Sequence, residues 1–338
     1  MNKKIIAILF ALLASVLYAI NIPVSKILLQ NIEPIFMASF LYFGAGLGMS
    51  SYSVFFVNQK KVAKLTKNEL PYTVGMIVLD IVAPICLMIG LSKASSANAS
   101  LLNNFEIVAT SLIALLVFKE LISSKMWFSI ALITFSSILL SFDGVESLQF
   151  SYGSLYILLA CVCWGLENNC TRILSSKSTT QIVVLKGIFS GIGSFIIAII
   201  TKEQFPSFIY IIYALVLGFV SYGLSIFFYV KAQSVLGASK TSAYYAIAPF
   251  VGALLSFVIL REALSKIYLL ALAVMIIGTV FVVLDTLLIK HRHLHTHTVF
   301  HTHDGSTHEH TVEHEHNHHH LFNKSRKHYH ICFLKDRK

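Results

Sequence analysis

The chain has 338 residues, of which 56% are hydrophobic and only 12% are charged, and its mean hydropathy is +0.74. Soluble proteins carry roughly 25% charged residues, so this composition excludes a cytosolic enzyme, a secreted disulfide-rich scaffold and a free nucleic-acid-binding domain. The net charge of +10 does not indicate a nucleic-acid partner, because the basic residues lie in short loops and in the C-terminal tail.

Ten apolar segments follow one another along the chain, each close to the roughly 20 residues that a transmembrane helix needs. The predicted spans are 5–23, 34–57, 71–92, 97–118, 125–142, 153–173, 180–201, 208–231, 239–260 and 266–289. They predict an all-α integral membrane protein with ten transmembrane helices, located in the cell membrane and surrounded by the lipid bilayer.

The charges of the connecting loops predict the orientation of these spans. With the N-terminus in the cytoplasm, the inner loops receive most of the basic residues, including a cluster around Lys60 to Lys67. The outer loops receive fewer, namely Lys26, Lys93, Lys202, Arg261 and Lys266. Because basic residues concentrate on the cytoplasmic side of membrane proteins, both termini are predicted to be cytoplasmic.

The two halves of the apolar region resemble each other in sequence. LYAINIPVSKILLQ aligns with CWGLENNCTRILSS, and VFKELIS at Lys119 aligns with ILREALS at Arg261, with two shorter matches in the same order. Each half contains five spans, and an odd number gives the second copy the opposite orientation, as in many secondary transporters. We therefore predict two inverted five-helix repeats, 1–145 and 146–289, and a cytoplasmic tail, 290–338.

Four stretches resemble the drug/metabolite transporter superfamily, and within it the EamA family. They are the first span with its proline at Pro23, SSANASLLNNFEIVATSLIALLVFKELIS, CVCWGLENNCTRILSS and SKTSAYYAIAPFVGALLSFVILREALS. The resemblance extends over residues 1–289, and the His-rich tail is similar to one branch of the family. Many members have Glu-Pro in the middle of span four, whereas here Ile107 follows Glu106, and the proline is kept only in the second repeat, at Pro249.

This resemblance implies a ten-helix bundle with both termini inside, and secondary transport of small organic solutes, often as export. No enzymatic activity is expected, since the chain has no phosphate-binding loop, no nucleophile beside a base and no cofactor fingerprint. The expected partners are the bilayer and a small-molecule substrate, without nucleic acid. A homodimer is an open alternative to a monomer.

Two acidic residues lie near the middle of spans three and four, where ionisable groups are costly and therefore functional candidates. They are Asp80 and Glu106. Pro84 leaves the carbonyl of Asp80 without its helical hydrogen bond, which puts a carboxyl group and a free carbonyl at one depth and suits a cation or proton site. The alternative is that both acids are neutral or hydrogen-bonded within the bundle and serve only its structure.

Glu167 and Lys186 lie in consecutive spans at similar distances from the same inner loop. Equal depth predicts an ion pair, which lowers the cost of burying both charges, and this pair would act either as a structural clamp or as a substrate gate. Asparagines accompany the acids: Asn168 and Asn169 follow Glu167, and Asn103 and Asn104 precede Glu106. They are predicted to bind a polar solute or, alternatively, neighbouring helices.

Three prolines and two tyrosines complete the predicted site in the membrane region. Pro23, Pro84 and Pro249 are expected to break or hinge spans one, three and nine, as in transporters with broken helices, although membrane helices also tolerate proline without such a role. Tyr244 and Tyr245 precede Pro249. We expect them to line a cavity or, alternatively, to pack against lipid or a neighbouring helix.

The tail contains all fifteen histidines of the chain, most of them at alternate positions, so an extended strand would carry successive imidazoles on one face. Imidazole binds Zn, Ni, Co or Cu. The predicted ligands are His291, His293, His295, His297, His301, His303, His308, His310, His314, His316, His318, His319 and His320. We expect the tail to be disordered without metal, and the membrane region to require no cofactor.

Three functions are compatible with this sequence. The expected one is a transporter of small organic metabolites, acting as an exporter, with an accessory metal-binding tail. The alternative is a transition-metal transporter for Zn, Ni or Co whose tail collects the ion, although no predicted span contains a histidine. A membrane-bound metal sensor or buffer that transports nothing is disfavoured by the internal repeat.

Overall fold

In a computed structural model of the protein, the described residues are 3–56, 69–119, 122–142, 151–174, 178–236, 241, 244–262, 265–287, 289–303 and 306–320. The chain divides into two units, Met1–Asp285 and Thr286–Lys338. The described elements from Lys3 to Leu287 are helices, and two strands follow them.

The first half of the membrane region contains seven helices. They are α1 Lys3–Ala19, α2 Asn21–Leu28, α3 Pro34–Phe56, α4 Leu70–Lys93, α5 Ser96–Leu102, α6 Phe105–Phe118 and α7 Ser124–Leu140. The helices of the second half are α8 Tyr152–Leu174, α9 Thr179–Leu185, α10 Gly191–Ile200, α11 Phe208–Gly218, α12 Ser225–Leu236, α13 Ala248–Leu260 and α14 Lys266–Leu287. The π-helical segment Lys186–Ser190 joins α9 to α10, and a second one, Phe219–Leu224, joins α11 to α12.

Within the described residues, seven helical stretches are long and apolar enough to cross a membrane: Lys3–Leu28, Pro34–Tyr52, Leu70–Lys93, Ser96–Val117, Thr180–Ile200, Phe208–Ala232 and Lys266–Asp285. The apolar helices α7 and α13 are shorter, and α8, with 23 residues, occupies the sixth predicted span. Large side chains such as Leu116 and Val258 are exposed on the outside of the bundle, as they are on helices that face lipid. The prediction of an α-helical, multi-pass membrane protein is therefore confirmed.

Within the described residues, three of the spans are broken by a turn, apart from the two that contain π-helical segments, and prolines explain two of these breaks. Helix α1 ends at Ala19, four residues before Pro23, which has no N–H to donate to the Ala19 carbonyl. Pro249 lies in the first turn of α13, where a missing N–H costs nothing. In contrast, α4 runs through Pro84 without a break, so the break expected at that position is not seen.

The third break divides the fourth span at Asn103 and Asn104, between α5 and α6. Two hydrogen bonds between residues three apart close the turn at this break. The N–H of Glu106 donates to Asn103 O at 3.1 Å, and that of Ile107 donates to Asn104 O at 3.1 Å. Asparagine is a weak helix former, since its side chain competes for backbone hydrogen bonds. The break places two amide side chains near the middle of the span.

The helices of the two halves pack against each other in matching pairs. The third span, α4, packs on the sixth, α8, and the eighth span, through α12, packs on the first, α1. The second span, α3, contacts the seventh span through α9 and α10, and α5 of the fourth contacts α13 of the ninth. Ser136 Oγ of the fifth span donates to Ala271 O of the tenth at 2.7 Å. The apolar core therefore lies between the halves.

Two helix ends carry the same unusual backbone. Lys119 ends α6 with φ 54°, and Arg261 ends α13 with φ 52°. In both, the backbone N–H of the residue in left-handed conformation returns to a carbonyl of the last helical turns, at Ala114 O and Phe257 O respectively. These are the two basic residues that the alignment of VFKELIS with ILREALS pairs.

Glycines allow the second and seventh spans to approach closely. A Cβ atom added to Gly187 would lie 2.8 Å from Tyr42 O, and one added to Gly46 would lie 2.7 Å from Ile188 N. Both distances are shorter than side chains tolerate, so α3 and the π-helical segment after α9 meet backbone to backbone. This contact carries Lys186 into the bundle beside α3 and α4.

The tail contains a two-stranded antiparallel sheet, in which β1, Ile289–His303, pairs with β2, Ser306–His320. The sequence between the strands is Asp304-Gly305, a dipeptide favoured in two-residue hairpin loops. The prediction that the tail is disordered without metal is not tested by this hairpin. Its behaviour in solution without metal stays a prediction.

Candidate transport site

A three-residue charged network lies inside the membrane region. Lys186 Nζ is 2.8 Å from Glu167 Oε1 and 3.1 Å from Asp80 Oδ2. Glu167 comes from α8, Lys186 from the π-helical segment after α9, and Asp80 from α4 of the first half. The predicted ion pair between Glu167 and Lys186 is confirmed, and Asp80 joins it because α4 packs along α8.

Hydroxyl groups complete this network. Tyr42 Oη donates to Asp80 Oδ1 at 2.9 Å, and the Thr171 hydroxyl donates to Glu167 Oε1. The side chains of Asp80 and Glu167 are 1% and 3% exposed, whereas that of Lys186 is 18% exposed. Two buried carboxylates therefore depend on one ammonium group that is itself partly accessible.

Glu106 is held by a different partner. Asn168 Nδ2 donates to Glu106 Oε1 at 2.7 Å and lies 3.3 Å from Thr110 Oγ1. Asn169 Nδ2 instead donates to two backbone carbonyls, Thr110 O at 3.2 Å and Gly165 O at 2.8 Å. Of the predicted pair of asparagines, Asn168 thus binds the acid and Asn169 joins α6 to α8.

The two asparagines at the break in the fourth span differ in their contacts. Asn103 Oδ1 lies 4.0 Å from Cys161 Sγ, within the range of a weak sulfur hydrogen bond. Asn104 is 1% exposed, and neither atom of its side-chain amide has a hydrogen-bond partner among the described residues. A buried unpaired amide costs about 1–3 kcal/mol, so Asn104 is a strong candidate for contact with a ligand.

Four tyrosine rings adjoin the acids. Tyr222 lies 5.4 Å from Tyr42 and 5.9 Å from Tyr18, and Tyr18 lies 5.8 Å from Tyr245, all measured between ring centroids. Asn21 Nδ2 donates to Tyr222 Oη at 3.1 Å. Of the two predicted tyrosines, Tyr245 joins this group through its ring.

Tyr244 contributes a different contact. Its carbonyl accepts a hydrogen bond from Ser15 Oγ at 3.3 Å, so it ties the segment before α13 to α1. Tyr18, Tyr42 and Tyr222 were not among the site residues predicted from the sequence. The available signal was a hydroxyl group within an apolar span, which is weak because tyrosine is also common at membrane interfaces.

Charged side chains at the predicted outer ends of the helices bind backbone groups. The Glu262 carboxylate accepts the N–H groups of Ser96 and Ala97, at 2.7 and 2.8 Å, at the start of α5. Lys26 Nζ donates to Leu91 O at 2.6 Å and to Ala94 O at 2.8 Å, where α4 ends. Both side chains bind backbone groups that have no hydrogen-bond partner within the helix because they lie at its end.

Glu203 acts in the same way on α3. Its two carboxylate oxygens accept the N–H groups of Ile35 and Phe36, at 2.9 and 2.8 Å. Partial burial raises the pKa of the Glu203 carboxyl group, while the two donated hydrogen bonds act in the opposite direction. Through Glu203 and Glu262, the second half of the chain caps two helices of the first half.

Two surface pockets lie away from the charged network. One is lined by Lys93, Ser151, Tyr152, Gly153 and Tyr156, and the other by residues that include Lys93, Asn98, Leu139, Ser265 and Tyr268. The first lies where α4 ends and α8 begins and the second where α4 ends and α14 begins, both at the predicted outer end. They hold none of the interior acids, so the partnered charges rather than these pockets define the candidate site.

In the tail, the register places histidines opposite each other. The directly paired positions are His291 with His318, His293 with His316, His295 with His314 and His301 with His308. His297, His303, His310 and His319 instead face Val312, Ser306, Val299 and Lys290, and His320 faces Ile289. The first three histidine pairs lie at successive alternate positions of the register and so form adjacent rungs of the hairpin.

Comparisons with known proteins agree with the membrane architecture. The sequence model of the EamA-like transporter family matches residues 5–142 and 151–284. An uncharacterized transporter of Methanothermobacter thermautotrophicus is 25% identical over 277 residues, 75% of this chain and 78% of that protein. The uncharacterized transporter YyaM of Bacillus subtilis is 24% identical over 227 residues, 64% of this chain and 74% of YyaM. A solved crystal structure has a similar fold, with a TM-score of 0.61 and 16% identity, and the match covers 83% of this chain and 96% of that one.

Proposed function

Since the chain belongs to the EamA-like transporter family, we propose that this membrane transporter carries small organic solutes by secondary transport, in the direction of export. The proposed architecture is ten transmembrane helices in two inverted repeats, 1–145 and 146–289, with both termini in the cytoplasm. Three features support it: the paired contacts between the halves, the matching helix ends at Lys119 and Arg261, and the two successive family matches.

The observation that carries this proposal is the charged network shared by the two halves. Asp80 belongs to the first half, and Glu167 and Lys186 belong to the second. In transporters built from inverted repeats, the substrate site lies at the interface between the repeats near the membrane midplane. A network that spans this interface can change its partners when one half moves against the other.

The geometry suggests how such a movement would be coupled. Lys186 holds two acids at once, and it lies in a π-helical segment, a geometry that is often found at functional sites. The carboxyl group of Glu106 has only the neutral Asn168 as its described hydrogen-bond partner. We propose that Glu106 takes up and releases a proton during the transport cycle, while the Lys186 network holds the two halves in register.

The tail is proposed to be an accessory metal-binding segment. Two adjacent rungs of the hairpin bring four histidines together, for example His291, His293, His316 and His318. Residues opposite each other in an antiparallel pair have Cα atoms about 4.5–5.5 Å apart, and four imidazoles suit tetrahedral zinc. A buffering or regulatory role follows from this chemistry.

A transition-metal transporter is the second candidate, and the histidine pairs of the tail are the observation that favours it. Among the described side chains, no group of three or more His, Cys, Asp or Glu is arranged to hold a metal ion. Zinc and nickel flux into proteoliposomes distinguishes the two functions. Metal flux through a variant with all tail histidines replaced by alanine would favour metal transport, and binding without flux would favour the organic solute.

The main function is tested by efflux from proteoliposomes loaded with a soluble extract of small metabolites. Mass spectrometry of the external medium identifies solutes that leave through the wild-type protein. A Lys186→Met variant that is still inserted should release none of them, whereas Lys202→Met, at an exposed loop position, should match the wild type. Equal release with Lys186→Met would contradict the assignment of the network, and no protein-dependent release would contradict organic solute transport.

A further inference from the structure

Four of the five basic residues that the predicted topology places outside lie around the end of α4. Lys93 ends α4 and Lys266 begins α14, and both line the same surface pocket. Lys26 Nζ binds carbonyl groups at the end of α4, and Arg261 precedes Glu262, whose carboxylate caps the neighbouring α5. Basic residues are usually scarce on the outer side of a membrane protein, so this concentration at one place indicates a binding role.

The described acidic groups do not balance these charges. The acid found among them, Glu262, already accepts the N–H groups of Ser96 and Ala97 at 2.7 and 2.8 Å. Neither Lys93 nor Lys266 has an ion-pair partner among the residues that the structure describes. This part of the described surface is therefore electropositive and attracts anions.

The pocket between the two lysines also has an apolar side. It lies between the ends of α4 and α7 and the starts of α5 and α14, has a volume of about 410 Å³, and is named here the Tyr268 pocket. Leu139, Leu140 and Ile267 line it, and its described lining includes no acid. Basic pockets between transmembrane helices are sites where lipid headgroups bind, and the apolar side chains suit the part of a lipid next to its headgroup.

Helix α14 adds backbone donors to this pocket. It has 22 residues and begins at Lys266, so the N–H groups of Lys266 and Ile267 have no acceptor within the helix. The partial positive charge of a helix N-terminus favours an anion at this position. The pocket therefore offers ammonium groups and N–H donors to the same ligand.

An unpaired hydroxyl group lies at the floor of the same pocket. Tyr268 is 5% exposed and lines the pocket, and its hydroxyl has no hydrogen-bond partner among the described residues. A buried polar group without a partner is unfavourable, and a tyrosine hydroxyl can donate to a phosphate oxygen. Tyr268 thus points to a ligand independently of the surface charge.

A second pocket shares Lys93 with the first. This Tyr152 pocket has a volume of about 360 Å³ and is lined by Lys93, Ser151, Tyr152, Gly153 and Tyr156. Its hydroxyl groups suit the polar part of a headgroup, and tyrosine is enriched at membrane interfaces. Lys93 therefore lies between a polar pocket and a partly apolar one, in the order of headgroup, phosphate and acyl region in a phospholipid.

From these observations we infer that an anionic phospholipid binds at the predicted outer end, with its phosphate group held by Lys93, Lys266 and the start of α14. Its headgroup occupies the Tyr152 pocket, and its glycerol and upper acyl chains lie in the Tyr268 pocket. A soluble phosphate ester carries the same charged group, but the apolar lining and the position at the membrane surface favour the lipid. Since α4 and α5 belong to the first half and α14 to the second, the bound lipid stabilises the contact between the halves.

Thermal unfolding of the delipidated full-length protein in detergent tests this inference. The probes are phosphatidylglycerol, which is anionic, and phosphatidylcholine with the same acyl chains, which is zwitterionic. We expect phosphatidylglycerol to raise the melting temperature by about 2–5 °C more than phosphatidylcholine does. This difference should vanish in the double variant Lys93→Gln/Lys266→Gln. It should persist in Lys3→Gln/Lys202→Gln, which removes two exposed charges outside the pockets.

A second variant keeps the test independent of surface charge and of the folding of the double variant. Tyr268→Phe removes only the hydroxyl, so the fold is retained. Titration with phosphatidylglycerol, followed by mass spectrometry of the intact protein, gives the ratio of lipid-bound to free protein. We expect Tyr268→Phe to weaken this binding by about fivefold, the effect of one lost hydrogen bond.

Three outcomes would contradict the inference. Equal stabilisation by the two lipids would exclude a site for an anionic headgroup, and an undiminished preference in both the double variant and Tyr268→Phe would exclude this location. Equal stabilisation by glycerol 3-phosphate, which has the phosphate but no acyl chains, would make the ligand a soluble phosphate ester. Lipid binding does not depend on the transported solute, so these outcomes leave the proposed transport function untouched.

Discussion

In the membrane region, Lys186 is held between two particular carboxylates that come from both halves of the chain. In the tail, histidines recur at alternate positions, and several equivalent pairs stand opposite each other. The first arrangement is irreplaceable, because the two buried carboxylates share one ammonium group and no second basic side chain is described beside them. The second is redundant, since the loss of one histidine leaves others of the same kind. The two regions should therefore respond very differently to single substitutions.

The largest effect is expected for Lys186→Met. It leaves the carboxylates of Asp80 and Glu167 buried without a counter-charge, and removal of one partner of a buried pair costs about 3–5 kcal/mol. Thermal unfolding in detergent should show a large fall in melting temperature, whereas Lys202→Met should show none. Adding Asp80→Asn to Lys186→Met should restore part of the loss, because one unpaired charge is removed. An additive loss in the double variant would contradict the shared network.

Glu106→Gln is expected to affect transport more than stability. Glutamine keeps an oxygen that can accept the hydrogen bond from Asn168 but cannot take up a proton, so the fold is retained. We expect flux to fall by about tenfold or more, in the range of a lost acid–base group, and the remaining flux to lose its pH dependence between pH 5 and 8. Glu33→Gln should retain both the flux and its pH dependence. An unchanged pH profile in Glu106→Gln would contradict proton coupling through this residue.

A smaller effect is expected at the helix caps. Glu262→Ala removes the acceptors of two backbone N–H groups at the start of α5. Water can replace the carboxylate only in part, so the loss should lower the free energy of unfolding by about 1–2 kcal/mol. Glu203→Ala should lower the melting temperature similarly, since it caps α3 with the same geometry. Glu33→Ala, which loses a single exposed bond to Gln204 N, serves as the control. Equal melting temperatures in all three variants would contradict the capping role.

The sequence was sufficient to predict helices, spans and one ion pair. Hydrophobic runs locate helices because a bilayer requires them, and Glu167 and Lys186 could be paired because both lie close to the same short loop. Asp80 could not be added to that pair from sequence. Its position beside Lys186 depends on the packing of α4 against α8, between segments that are far apart in the chain.

Local backbone chemistry explains the remaining differences. Pro23 ends α1 near Ala19, since the missing N–H acts four residues earlier, whereas α4 continues through Pro84. The break at Asn103 and Asn104 contains no proline, so the sequence predicted contacts of these residues with a polar solute or with neighbouring helices, but not a break. In the tail, Asp304-Gly305 between two alternating segments is a hairpin signal, and the predicted disorder without metal stays a prediction.

The smallest single-residue effects are expected in the tail, where the hairpin register makes a sharper prediction possible. Replacing His291, His293, His316 and His318 by alanine removes two adjacent rungs, whereas replacing His297, His303, His310 and His319 removes as many histidines without breaking a direct pair. We expect the first variant to weaken the tightest zinc site by about tenfold and the second by less than about threefold, because a tetrahedral site needs ligands already close together.

Zinc affinity can be measured by competition with a chromophoric chelator on the full-length protein. The affinity of any single His→Ala variant is expected to lie within about twofold of the wild-type affinity, since neighbouring rungs replace the lost ligand. Equal weakening by the two quadruple variants would mean that the number of histidines, and not their register, determines binding. The tail would then act as an unstructured chelating tract. A preference for the paired positions would instead give the alternating pattern a structural meaning, because only a paired strand turns every second histidine into one half of a site.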